Sequence, residues 1–284
     1  MYRRKRRATV LFGAIATLAI LFGVVWAGRD QIRIWHLLRT HFNSLGKNSQ
    51  GYDEYRHRQT GIVFVFLPGG RFLMGSPEEE EGFREEQPAH QVSLSPFLIA
   101  KYEVSQLEWK QVIGQSPMSS TSDELPVTYV SVEDCQRFCD IAKFSLPTEA
   151  QWEYACRGGT STKFSFGDSI TTAQVNFSPS YDNPAVTGQD RGNALAVDSL
   201  EPNGFGIHNM HGNVLEWCQD LYDEKFFSTP EASYRDPVST SGSQHVARGG
   251  SWGDSSKICR SAFRLGIPSG PFSRSGFRPV FNFH

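Results

Sequence analysis

Arg3, Arg4, Lys5, Arg6 and Arg7 stand directly before an uncharged run from Ala8 to Gly28. No other feature limits the chain so sharply. A charged side chain is costly in a bilayer core, and a helical span needs about 20 largely apolar residues. The run meets that length. Helices of soluble cores are rarely apolar all round, so the pattern predicts a transmembrane signal anchor over residues 1–28. The basic cluster then stays in the cytoplasm and the remainder is extracytoplasmic, periplasmic or extracellular. Val25-Trp26-Ala27 also suits a signal-peptidase site, so secretion after cleavage is the alternative.

Residues 29–60 are polar and mixed, and read as a juxtamembrane helix or linker. From Gly61 to His284 the chain reads as one irregular α+β domain. The whole chain holds 26 Gly, 15 Pro and 13% aromatics, a mix that suggests many turns, short strands and few long helices. GIVFVFLPGGRFLMGS reads as two strands around a Pro-Gly-Gly turn, and HQVSLSPFLIAKYEVS continues the pattern. PEEEEGFREEQP reads as a solvated acidic loop. Helices are expected after Ser105, Ser131 and Thr148. Acidic residues follow Ser131 in the first turn, and Gln151 completes a capping box with Thr148. The formal net charge of −2 excludes a nucleic-acid binder, which needs a basic face.

Five cysteines leave at least one unpaired. Cys135 and Cys139 share a helix face, where disulfide geometry is poor, and both read as small buried residues. EPNGFGIHNMHGNVLEW, residues 201–217, sets Asn203, Asn209, Asn213 and Glu216 among glycines. Hard cations such as calcium take carboxylate, amide and carbonyl oxygens. A plain Asn/Gly turn reads equally well from this pattern.

The motifs in order are LPGGRFLMGS, QPAHQVSLSPFLIAKYEVS, LPVTYVSVEDCQRFC, LPTEAQWEYACRGG, PNGFGIHNMHGNVLEW, RGGSW and SGFR. Together they resemble the formylglycine-generating enzyme, or sulfatase-modifying factor, domain, from about Gly61 to Phe281. The resemblance implies an irregular C-type lectin-like fold with few short helices and strands. It implies calcium held by the side chains of Asn209 and Glu216 and the carbonyls of Gly212 and Val214. A second calcium site would use the Asn176 side chain, the Phe177 carbonyl and Asp190, although the spacing near Asp190 departs from the family pattern.

The family's founding activity is copper- and oxygen-dependent oxidation of a sulfatase cysteine to formylglycine, using two cysteines after the Gly-Gly-Ser turn. A soft thiolate pair suits Cu(I). Here Asp254 stands where the first cysteine belongs. Cys259 matches the second without a gap, but Arg260-Ser261-Ala262-Phe263-Arg264 resembles the arginine-bearing strand that should come later. Cys259 is therefore expected to be structural rather than catalytic, and copper is not expected. The remaining reading is a binding or accessory module with an exported protein, peptide or glycan partner. Trp252, Asp254, Arg260, Arg264 and Arg278 would line its cleft, with the arginines holding an anionic group or serving as internal ion-pair partners. An oxidoreductase of the same family is the alternative.

Overall fold

Phe97–Ala100 is a continuous apolar tetrapeptide, and all four residues are buried. That composition suits a central strand, where both faces are covered. The chain, seen in a computed structural model, is described over residues 29–80, 82–115, 117, 122–182 and 188–283. Residues 29–41 are helical and are called α1. Strands β1 (Phe42–Lys47), β2 (Asp53–His57) and β3 (Val63–Leu67) follow, then β4 (Gly70–Met74), β5 (His90–Leu94) and β6 (Phe97–Ala100). Helices α2 (Gln106–Ile113), α3 (Val132–Ala142) and α4 (Glu149–Arg157) occupy the middle of the chain. Strands β7 (Leu215–Leu221), β8 (His245–Arg248), β9 (Arg264–Ile267), β10 (Ser275–Gly276) and β11 (Val280–Asn282) complete it.

The strands form a five-stranded sheet of order β1-β2-β3-β6-β11, a four-stranded sheet of order β10-β7-β8-β9, and the pair β4-β5. The fold is α+β with short elements and long irregular connections. Each of α2, α3 and α4 opens on a full capping box: Ser105 with Glu108, Ser131 with Asp134, and Thr148 with Gln151. Gly158 ends α4 in the left-handed region at φ 57°, which glycine adopts without steric cost.

Residues 42–57, which the sequence reading groups with the linker, belong to the sheet. β1 and β2 pair with each other, and β2 pairs with β3. β1 is an edge strand that buries only Phe42, so it carries none of the apolar alternation that announces a half-buried strand. The acidic loop also differs from its expectation. Glu86 is fully buried, because Arg260 and the Ser76 hydroxyl take its carboxylate.

Among the described residues no helix is long and apolar enough to cross a membrane. The expected anchor, Ala8 to Gly28, lies outside them.

Two apolar clusters fill the interior. Phe64, Leu98, Trp109, Phe138, Trp217 and Phe277 lead one, and Val65, Phe97, Trp152, Phe205 and Cys218 the other. A third, smaller cluster gathers Phe164, Ile170, Val175 and Phe177 around Cys259.

Candidate functional site

β8 delivers the chain into Gly249 and Gly250, at φ +92° and +66°. A Cβ at Gly250 would lie 2.8 Å from Cys259 Sγ, so only glycine lets the turn close over that thiol. The Ser251 hydroxyl donates to Asp254 Oδ2 at 2.5 Å, and Arg274 Nη2 donates to Oδ1 at 3.2 Å. The Arg274 guanidinium also lies 5.6 Å over the Trp252 ring. Asp254 and Trp252 thus share Arg274, at a partly exposed corner of the turn.

Cys259 ends a 3-10 turn, Ser256–Cys259, and is fully buried. Its thiol donates to the Ser255 carbonyl at 3.5 Å. Burial pushes its pKa well above the ordinary range, and Asp254 and Asp182 push the same way. A thiolate, the form that attacks or binds metal, is strongly disfavoured there. Its carbonyl accepts from His211 Nδ1 at 2.7 Å, while the Ser165 N–H donates to His211 Nε2 at 3.0 Å. Both partners fit one neutral tautomer with the proton on Nδ1. Burial lowers the His211 pKa to about 4. All five cysteines are free and buried. Cys156, 3.7 Å from both ring nitrogens of His211, has its pKa raised to about 12 by burial.

The arginines expected in the cleft separate. Arg264 is buried and bidentate on Glu149, Nε at 2.8 Å and Nη2 at 2.6 Å, with its guanidinium over Phe227 at 4.2 Å. Arg278 is buried and bidentate on Glu216. Its Nη1 donates to the Ala100 carbonyl, and Nη2 donates to the His208 carbonyl as well. Arg248, not singled out by sequence, is buried against Glu153 and the carbonyls of Ser261 and Ala262. Burial works to raise the Glu153 pKa, but Arg157 and Arg248 outweigh it and hold it below the ordinary value. Arg260 lines a cavity, with its guanidinium on Glu86 and, at 2.9 Å, on Glu80.

The residues the resemblance offers to calcium lie around a buried polar network that centres on Glu103. Its Oε2 accepts from Asn209 at 3.0 Å and its Oε1 from Asn213 at 2.8 Å. Asn213 in turn accepts from Asn176 Nδ2 at 3.0 Å. Burial raises the Glu103 pKa to about 7; Arg278 opposes the rise and Glu216 adds to it. Asn209 Oδ1 and Asn176 Oδ1 are buried without a hydrogen-bond partner. Those two amide oxygens, with the Glu103 carboxyl nearby, are the donor type a hard cation takes. Glu216 fits less well, because Arg278 and the Trp152 indole N–H occupy both its oxygens. Gly212 pairs by an isolated bridge with Asn176, which brings the two predicted sets side by side. Phe177 is buried in the small cluster beside Cys259. Asp190 is exposed and accepts from the hydroxyls of Ser178 at 2.5 Å and Ser180 at 3.0 Å. Among the described residues no three His, Cys, Asp or Glu side chains gather as a metal group.

A cavity of about 280 Å³ opens between three segments, residues 82–83, 163–168 and 256–260. The last segment is the 3-10 turn that carries Cys259. Sequence reading found Arg260 there and missed Glu80, Glu86 and Glu103. A usable signal existed: each arginine near a glycine turn needs a carboxylate if it is to be buried.

Residues 51–283 match the profile of the sulfatase-modifying factor enzyme 1-like domain. The formylglycine-generating enzyme of Thermomonospora curvata is 30% identical over 283 aligned positions, which cover 75% of this chain and 91% of that one. A serine/threonine-protein kinase of Chlamydia caviae is 28% identical; the match covers 80% of this chain but only 39% of the kinase. The solved structure of PvdO from Pseudomonas aeruginosa superposes with a TM-score of 0.68 at 23% identity, covering 85% of this chain and 98% of that one. At that identity the likeness establishes the fold alone.

Proposed function

The chain belongs to the sulfatase-modifying factor enzyme 1-like family, and on that premise we propose that it is a member that binds rather than oxidises. In this reading it is an exported module, anchored by residues 1–28 with the amino end in the cytoplasm, and it holds a protein, peptide or glycan partner outside. Calcium orders its 201–217 segment through the amide oxygens of Asn209 and Asn176. Bound there, a cation would supply positive charge beside the buried Glu103 carboxyl, whose pKa burial raises.

The observation that carries the reading is the state of the turn after Gly250. Asp254 is fixed by Ser251 and Arg274, and Cys259 is a buried, hydrogen-bonded thiol with a raised pKa. A carboxylate is a poor partner for Cu(I), and a protonated thiol is none. The alternative, conversion of a sulfatase cysteine to formylglycine, draws support from the Thermomonospora curvata relative. The deciding experiment incubates the full chain with Cu(I), oxygen and a sulfatase-motif cysteine peptide. We expect no aldehyde product and no tight copper binding. Aldehyde formation that is lost with Cys259→Ser overturns the binding reading.

A further inference from the structure

We propose that the outward face of α1 lies on a bilayer surface rich in anionic phospholipids and so sets the height and tilt of the domain above it. The proposal rests on the exported, anchored reading and gives the chain a second contact with the lipid.

Two opposite faces of one helix carry the argument. Ile34, Leu37, Leu38 and His41 recur at the spacing of a single helical stripe. Ile34 is buried, Leu37 and Leu38 pack against the larger apolar cluster, and the His41 ring meets Phe281 at 6.0 Å. That stripe docks α1 on the domain. Ile32, Trp35 and Arg39 follow at i, i+3 and i+7 on the other side. Ile32 is 69% exposed and Trp35 57%, so neither serves the core. The Arg39 guanidinium lies 4.6 Å over the Trp35 ring. An exposed Trp beside an aliphatic residue, with a guanidinium alongside, suits a lipid interface. The rings settle at headgroup level there, and the long basic side chain reaches the phosphates.

Charge selects the lipid. α1 carries Arg29, Arg33 and Arg39 against one acid, Asp30. None of the four forms an ion pair among the described residues. At 3.6 residues per turn Asp30 falls about 160° around the helix from Ile32, on the side of the core. The outer stripe therefore holds no carboxylate. Arg58 adds a further cation at the end of α1, where its Nη2 donates to the Arg39 carbonyl at 3.2 Å. Chain order selects the bilayer. The uncharged run ends at Gly28 and α1 begins at Arg29, so Ile32 and Trp35 come four and seven residues after the expected span. At about 1.5 Å per residue they stay within about 11 Å of it. A helix lying in an interface buries its apolar face to a depth of about 5–10 Å, and its basic residues hold anionic headgroups.

The test reconstitutes the full chain into vesicles of phosphatidylcholine, with and without phosphatidylglycerol. A nitroxide is attached at His36→Cys on the outer face, or at Glu79→Cys on the acidic loop as an aqueous control; both positions are exposed, and the native thiols are buried. Relaxation of the label by oxygen, which partitions into lipid, is compared with relaxation by a water-soluble nickel chelate. With phosphatidylglycerol, oxygen should dominate at position 36 and the chelate at position 79. Each arginine should add about fivefold to the population lying on the anionic surface. The triple variant Arg29→Ala/Arg33→Ala/Arg39→Ala should therefore bring the ratio at position 36 down to that of the control, and Trp35→Ser should lower it in both lipids. All four positions are exposed, so the fold should tolerate them. A ratio at position 36 that equals the control, is as high in phosphatidylcholine alone, or survives the triple variant overturns the proposal. A label shielded from both reagents reports a protein contact and also overturns it. An alkaline carbonate wash separates this result from the anchored reading. A chain that resists the wash but shows an aqueous label at position 36 keeps the anchor and overturns the docking. A chain that shows the lipid signature and is then washed off keeps the docking and overturns the anchor.

Discussion

Glu216 and Arg278 hold one another by two parallel hydrogen bonds, Nε to Oε2 at 2.7 Å and Nη2 to Oε1 at 2.6 Å. One was expected on a metal and the other on a ligand. Both are buried, so neither charge can be left alone cheaply. Glu216→Gln should cost about 3–5 kcal/mol, measured by urea unfolding in the presence of a calcium chelator. Adding Arg278→Met to it should restore part of the loss. A full recovery of Glu216→Gln stability in chelator would make calcium, not Arg278, the partner that matters.

Calcium should raise the melting temperature of the full chain, and a strong chelator should reverse the rise. Asn209→Ala should shrink the response, because it removes the unpartnered Oδ1. A melting curve that ignores calcium up to millimolar concentrations sinks the metal proposal.

The native protein should titrate no thiols with Ellman's reagent and all five after unfolding, since each cysteine is buried and free. Cys259→Ser should leave ligand binding unchanged and cost about 1–2 kcal/mol for placing a hydroxyl in an apolar cluster. Rapid modification of one native thiol at neutral pH contradicts the buried placement.

His211 should make stability fall in acid. Its folded pKa, about 4, lies below the ordinary 6.5, so the unfolded chain binds the extra proton first. The contribution is complete above pH 6.5 and is lost as pH falls towards 4, up to about 3 kcal/mol. Glu103 and Asp220, both raised to about 7 by burial, act oppositely: their share is present below the unfolded carboxylate range and is lost as pH rises to 7. The difference between wild type and His211→Asn across pH 4–7 isolates the histidine. A difference that does not change with pH refutes the assignment.

The helices were legible because their starts are local chemistry. A Ser or Thr with an acceptor three residues on states its own geometry, and all three capping boxes are present. The β4-β5 pairing was not legible, since partners chosen across a long connection leave no local mark; β1 and β2 join the main sheet through short turns, but β1 buries only Phe42 and shows no apolar alternation. The site divided in the same way. Cys259 could be weighed from its neighbours in sequence. Arg264 and Arg278 could not, because Glu149 and Glu216, which bury them, lie 115 and 62 residues away. Glu103 sits inside KYEVS, where it reads as an ordinary polar residue before a helix cap.

The Phe42 ring packs against the Phe281 ring at 5.2 Å, so the start of β1 and the middle of β11, on opposite edges of the main sheet, are tied together by their side chains. A domain built this way presents both of its connections at one spot. It can be grafted into a surface loop of a host protein without stretching the host, and a short linker from residue 283 back to residue 42 would allow new ends to be cut elsewhere. The exposed tip around residues 50–51 is a suitable place for such a cut.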